Sequence, residues 1–173
     1  LISIQNRLIE GGFETVLLHG VTGSGKTEIY IQLIKEVVDS GQQALYLLPE
    51  IAITAQIVNR LKAVFGDRMG VFHSKFSDNE RVEVWQGLLD GRFDFIIGVR
   101  SAIFLPFAQL GLIVVDEEHE NSYKQFDPAP RYHARDAALV LGHFHHAKTI
   151  LGSATPSIES FTNAKQDKYG LVT

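Results

Sequence analysis

The chain has 173 residues, 45% hydrophobic and 21% charged, which suits one globular domain with its own core better than two. A formal net charge of −4 disfavours coating of nucleic acid by bulk charge, while leaving a local nucleic-acid site open. The sequence holds no apolar run near the ~20 residues of a membrane span, no secretory pattern and no cysteine, so disulfide scaffolds and thiolate zinc sites are excluded within it.

The chain begins at Leu1 rather than Met, which predicts a piece of something longer. Its first apolar run, Val16 to His19, predicts a strand that passes straight into Gly20-Val21-Thr22-Gly23-Ser24-Gly25-Lys26-Thr27. That stretch fulfils the G-x-x-x-x-G-K-[ST] pattern in full. The glycines let the backbone curl until successive N–H groups point at phosphate oxygens, and the helix behind adds positive potential at its N-terminus. Lys26 then reaches the β and γ phosphates, and the Thr27 hydroxyl ligates Mg2+. Tyr30, Leu33, Ile34, Val37 and Val38 form the apolar stripe of that helix, which Gly41 terminates.

Ala44 to Leu48 predicts a second strand. The segment Leu48 to Gln56 enters a helix with Thr54 as its cap and Ile57, Leu61, Val64 and Phe65 as its stripe. Pro49, Glu50 and Thr54 are candidate nucleic-acid contacts there, because such a loop offers backbone N–H groups to phosphate. Gly70 to Phe72 predicts a third strand, and the charged segment Asp67 to Arg81 reads as solvated surface, with His73 and Ser74 on the functional rim. Asp78 is the expected cap of a third helix burying Val82, Trp85, Leu88 and Leu89, a reading that makes Trp85 a core residue.

Phe95 to Val99 predicts a fourth strand ending in Arg100 and Ser101, a cation and a hydroxyl suited to a phosphate backbone. Leu112 to Val115 predicts a fifth, which delivers Asp116 to the rim as the Mg2+ ligand and Glu117 as the residue that orients the attacking water. His119 follows, placed to sense the γ phosphate and neighbouring segments. Residues 121–135 interleave aromatics and cations, and Tyr123, Lys124, Arg131 and Tyr132 are candidates for base stacking and phosphate contact, although Phe126 and Tyr132 also have a core reading. A helix from Arg131 to Phe144 ends in His143, His145 and His146, which read as a polar helix end rather than metal ligands. Thr149 to Leu151 predicts a sixth strand, leading into Gly152-Ser153-Ala154-Thr155-Pro156. Strands alternating with amphipathic helices predict an α/β fold with a mainly parallel central sheet and functional loops at the carboxyl ends of its strands.

The sequence DEEH at 116–119 and Ser153-Ala154-Thr155, in register with the phosphate loop, resemble superfamily 2 helicases of the DEAH-box-like kind. LLHGVTGSGKTEIY, LLPEIAITAQ, FHSKFSDNER followed by Trp85, GVRSAIFLPF, VVDEEHENSYKQ, RYHARD and LGSATPSIES narrow the resemblance to the bacterial replication-restart DNA helicases. The resemblance implies a three-layer RecA-like P-loop NTPase domain, with residues 1–173 as the first of two motor lobes in a longer cytoplasmic protein. It implies ATP and Mg2+ as cofactors and 3′-to-5′ helicase action on single-stranded and forked DNA in fork restart and primosome assembly. Ser153, Ala154 and Thr155 then link hydrolysis to strand movement. It assigns to the rest of the protein a second lobe with an arginine finger, a DNA-binding domain and a cysteine module, where zinc is expected. Primosome proteins and single-stranded DNA-binding protein are the implied partners, no membrane is involved, and the chain alone is expected to hydrolyse ATP weakly. The family's glutamine upstream of the phosphate loop has no clear counterpart, since Gln5 stands close to Gly20, and the adenine contact is left unassigned. Two other readings stay open: a superfamily 2 translocase of another kind, and a nucleotide-gated DNA-binding module without turnover.

Overall fold

Strands that are apolar on both faces must be covered on both faces, and helices returning the chain to the same edge leave the strands parallel. The computed structural model describes residues 14–21 and 23–173 and shows this arrangement. Strands β1 Thr15–His19, β2 Gln43–Leu47, β3 Met69–Phe72, β4 Phe95–Gly98, β5 Leu110–Asp116, β6 Lys148–Ser153 and β7 Gly170–Val172 form one sheet in the order β3-β4-β2-β5-β6-β1-β7. Every pairing in it is parallel. Gln5 and Thr22 lie outside the described residues.

Among the described residues the α-helices are α1 Lys26–Asp39, α2 Ala55–Phe65, α3 Asp78–Leu89, α4 Ala134–His145 and α5 Ile158–Lys165. One apolar layer joins Ile29, Leu33 and Ile34 of α1 and Leu61 and Phe65 of α2 to Ala44, Tyr46, Val114 and Ile150 of the sheet. The other joins Val84 and Leu88 of α3, Ala134 and Ala138 of α4 and Ala164 of α5 to Leu45, Leu47, Ile113 and Leu151. Neighbours along a strand thus serve opposite layers, and each buried Val, Leu or Ile contributes about 1.5–3 kcal/mol. The result is the three-layer sandwich that the alternating pattern predicts.

Differences from the sequence reading have local causes. Helix α4 starts at Ala134, after an extended His133, and not at Arg131. The cap of α3 is Ser77, not Asp78: its hydroxyl accepts from the Glu80 N–H while the Glu80 carboxylate accepts from the Ser77 N–H, a reciprocal capping box. Helix α3 buries Val84, Gly87 and Leu88 and leaves Val82, Leu89 and Trp85 outward, the last 45% exposed, so Trp85 is not a core residue. A small residue at Gly87 draws that face against Phe93 and rotates the stripe away from the tryptophan. Helix α5 and the three-residue edge strand β7 carry too little apolar periodicity to be read from sequence.

Replacing Ser77 by Ala is expected to lower stability to urea by about 1 kcal/mol, and Asp78 by less than about half of that. Equal losses at the two positions would restore Asp78 as the cap.

Candidate nucleotide and nucleic-acid site

Register brings the functional segments together. His19 pairs with Ser153, and Asp116 pairs with Gly152, so the carboxyl ends of β1, β6 and β5 stand side by side. The Gly20 N–H donates to the Ser153 carbonyl at 3.1 Å, which ties the start of the glycine-rich loop to the Ser153-Ala154-Thr155 (SAT) segment. Gly23 and Gly25 take φ values of 80° and 86°, a left-handed backbone that side-chain-bearing residues resist. Ser24 closes the turn by donating its N–H to the Val21 carbonyl at 3.1 Å. Lys26 is buried, and its ammonium donates to the carbonyls of Gly20 at 2.7 Å and Val21 at 3.3 Å.

A cavity of about 310 Å³ opens over this loop, lined by Gly23, Gly25, Lys26, Thr27, Glu28, Arg60, Asp116 and Glu117. The predicted phosphate, metal and water residues therefore share one space. Asp116 is buried at the end of β5, and two phenols hold it: Tyr30 donates to Oδ1 at 3.2 Å and Tyr46 to Oδ2 at 3.1 Å. Tyr46 also lies within reach of the Thr27 hydroxyl. Burial pushes the Asp116 carboxyl above its ordinary value, opposed by these phenols, the Glu117 N–H and the charge of Lys26. Burial, then the charge of Asp116, does the same to Glu117. Glu117 sits at a φ of 48°, and its N–H donates to Asp116 Oδ1 at 3.0 Å. Arg60 of α2 reaches the same space and pairs with Glu28 of α1.

His119 connects the acids to the SAT segment. Its Nδ1 lies 2.7 Å from Ser153 Oγ and its Nε2 3.4 Å from Thr155 Oγ1, while the Thr155 N–H donates to Ser153 Oγ at 3.0 Å. Ala154 is half-buried between these two residues.

A second cavity, about 330 Å³, gathers Pro49, Glu50, Arg100, Ser101 and Tyr123 from the predicted nucleic-acid set, together with Ser74 and Arg81. The last two belong to the segment read as solvated surface, and Arg81 donates to the Ser74 carbonyl at 2.7 Å. Thr54 lies outside this lining and caps α2 by accepting from the Ile57 N–H. Arg100 donates to the Ser122 carbonyl at 3.0 Å, tying β4 to the aromatic segment.

Within that segment Tyr123 is not free to stack on a base. It is 1% exposed, and its hydroxyl donates between the carbonyls of Asp116, at 2.6 Å, and Leu47, at 3.1 Å. Lys124 pairs across a small hairpin with His133 and donates to the Arg131 carbonyl at 2.8 Å. Tyr132 is half-buried, edge-on to Phe104 at 4.9 Å. Arg131 is exposed, and so is Phe126, at 70%, which removes its core reading. Sequence reasoning missed Tyr30, Tyr46 and Arg60. Tyr46, a hydroxyl inside the apolar run ALYL, and Tyr30, a hydroxyl on the apolar stripe of its helix, each signalled a buried partner in advance, and Arg60 did not.

The family model for DEAD/DEAH box helicases matches residues 2–164. The chain is 50% identical over 169 residues to the replication restart protein PriA of Chlamydia muridarum, covering 98% of this chain and 22% of that protein. It is 46% identical over 169 residues to the PriA of Bacillus subtilis, covering 98% and 21%. The PriA of Haemophilus influenzae is 48% identical over 168 residues, covering 97% and 23%. The chain thus spans about a fifth of the length of these curated relatives. Among solved structures, RecG bound to a three-way DNA junction superposes with a TM-score of 0.68 at 23% identity, covering 98% of this chain and 22% of RecG. The C-terminal domain of S. cerevisiae Dbp5 gives 0.61 at 12% identity, covering 93% and 89%. Both share the fold.

A methyl group at Gly152 would land on the Tyr30 hydroxyl and approach Asp116. Gly152→Ala is therefore expected to cost about 1–3 kcal/mol in chemical denaturation by overpacking. Unchanged stability would mean that Tyr30 does not pack there.

Proposed function

The chain belongs to the DEAD/DEAH box helicase family, and from that membership we propose that it is the ATP-binding motor lobe of a DNA helicase acting in replication restart. The observation that carries this reading is the single cavity where Lys26, Thr27, Asp116 and Glu117 meet. Its donor set fits a magnesium-bound triphosphate. Hard oxygen donors, the Thr27 hydroxyl and the Asp116 carboxylate, suit Mg2+, and the glycine-rich turn with Lys26 suits phosphate. When bound, Mg2+ neutralises charge on the phosphates.

The chain's own residues do the rest. Tyr30 and Tyr46 fix both oxygens of Asp116, which keeps its carboxylate aimed at the cavity. Lys26 exchanges its loop carbonyls for phosphate oxygens, a stronger charge-assisted contact. Glu117, its carboxyl held above the ordinary value by burial, accepts a proton from water at the mouth of the cavity. His119, set between Glu117 and the hydroxyls of Ser153 and Thr155, passes rearrangement of the acids to the SAT segment.

Single-stranded DNA lies along the second cavity in this reading, its backbone held by Arg100, Ser101 and the turn at Pro49 and Glu50. Exposed Phe126 and Arg131, rather than Tyr123, offer a stacking face and a cation to it. The identity to PriA proteins of three bacterial lineages supports replication restart as the setting. Residues 1–173 would then be one lobe of a longer protein. Forked DNA, primosome proteins, single-stranded DNA-binding protein and a zinc module are proposed for that whole protein.

In the intact protein, Lys26→Ala and Glu117→Gln are each expected to reduce DNA-stimulated ATP hydrolysis by at least about 10²-fold. Phe126→Ala with Arg131→Ala should weaken single-stranded DNA binding while leaving DNA-free hydrolysis intact. Full DNA-stimulated turnover in Lys26→Ala would remove the cavity from the chemistry.

A further inference from the structure

Glu118 follows the two acids of the nucleotide cavity but points the other way. It is fully buried, and its carboxylate accepts four hydrogen bonds. The Ser157 N–H donates to Oε1 at 2.6 Å. The hydroxyls of Ser157, at 3.0 Å, and Ser160, at 2.8 Å, and Arg135 Nη1, at 3.1 Å, donate to Oε2. Arg135 is itself 11% exposed and also donates to Ser157 Oγ at 2.8 Å. A charge sequestered from water persists only with such a complete set of partners. The donors come from three places: the first turn of α4, the cap of α5 and the α5 first turn.

The position of this anchor matters because of what stands on either side of it. Glu117 holds a left-handed backbone that a side-chain-bearing residue adopts only when its surroundings impose it. The Glu118 N–H donates to the Gly152 carbonyl at 3.0 Å, so main chain and side chain of Glu118 both pin the far end of that turn. Downstream, residues 121–133 form the aromatic loop, whose return strand ends one residue before Ala134 and two before Arg135. The Glu118–Arg135 pair therefore closes the base of the loop.

Resting on the motor-lobe reading, we propose that Glu118 is a positioning residue for hydrolysis, its carboxylate clamping the Glu117 turn to the starts of α4 and α5 so that displacement of the 121–133 loop reaches Glu117 through Arg135. Glu118 touches neither nucleotide nor DNA. It fixes where the Glu117 carboxylate stands, and a misplacement of about 1 Å there is enough to cost on the order of 10²-fold in rate.

The test uses the intact protein carrying Glu118→Gln, which keeps the size of the side chain and removes its charge. DNA-stimulated ATP hydrolysis, expressed per folded molecule from circular dichroism, is expected to lose at least about tenfold in kcat while KM for ATP stays within about twofold, a split that marks loss of an interaction made in the transition state and not of nucleotide binding. Hydrogen exchange of the 117–120 amides should accelerate by at least about tenfold. Arg135→Gln should speed the same amides and lower the factor by which single-stranded DNA stimulates turnover. A folded Glu118→Gln protein with wild-type kcat overturns the proposal, and so does unchanged DNA stimulation in Arg135→Gln. Should Glu118→Gln fail to fold, Ser160→Ala removes one donor alone and is expected to lower kcat about two- to fivefold at constant KM. Full kcat in that variant also overturns the clamp. If the wild-type protein shows no DNA-stimulated hydrolysis, the motor-lobe reading fails separately. The clamp then stands or falls on exchange, and unaltered 117–120 protection in Ser160→Ala or Glu118→Gln rejects it.

Discussion

A carboxylate taken out of water costs several kcal/mol unless its oxygens find donors, and Asp116 is buried at the end of a fully covered strand. Much of the local architecture follows from meeting that cost. Tyr30 of α1 and Tyr46 of β2 each supply a phenol, and the next residue's N–H supplies a third donor. Tyr30 reaches the acid only because β6 presents a glycine beside it. The parallel sheet therefore does more than deliver acids to a rim. It places a helix and two strands from distant parts of the sequence around one oxygen pair, and the phosphate loop starts from the same corner.

The three consecutive acids 116–118 show how neighbouring, chemically similar residues acquire different environments. The end of β5 leaves Asp116 facing α1 and β2, the left-handed bend at Glu117 turns its side chain to the cavity mouth, and Glu118 returns inward on the opposite layer beside α4 and α5. One bend in the backbone separates a carboxylate held by two phenols, a carboxylate at the cavity mouth and a fully sequestered one. Tyr123 adds to this from outside by placing its hydroxyl on the Asp116 carbonyl, so the aromatic loop grips the same turn by its backbone.

Among the described residues, six of the seven strands, four of the five α-helices and the glycine-rich turn were legible in the sequence, because buried parallel strands and glycine-rich turns leave dense, local signals. What stayed hidden depended on side-chain direction. Trp85 shares helical spacing with apolar neighbours, yet α3 is rotated toward Gly87, and a stripe drawn from hydrophobicity alone cannot count a glycine as a contact face. Tyr123 sits among cations and aromatics, but its place is decided by Leu47 and Asp116, 76 and 7 residues away, and not by composition. Glu118 reads as one more acid in a row. Only the arrival of Ser157, some forty residues later, makes it a hub.

The strand order carries a consequence for synthesis. Among the described residues the strand partners of β1 are β6 and β7, both made long after it, since Thr15 pairs with Thr149 and Val16 with Gly170. At ordinary translation speeds that delay is on the order of ten seconds. The glycine-rich turn that β1 supports therefore has no fixed frame during that wait, and β2 to β5 can assemble first. A nascent chain built this way frames that turn only once β6 and β7 have been made, so the corner where β1, β5 and β6 end is completed late in the synthesis of this sheet.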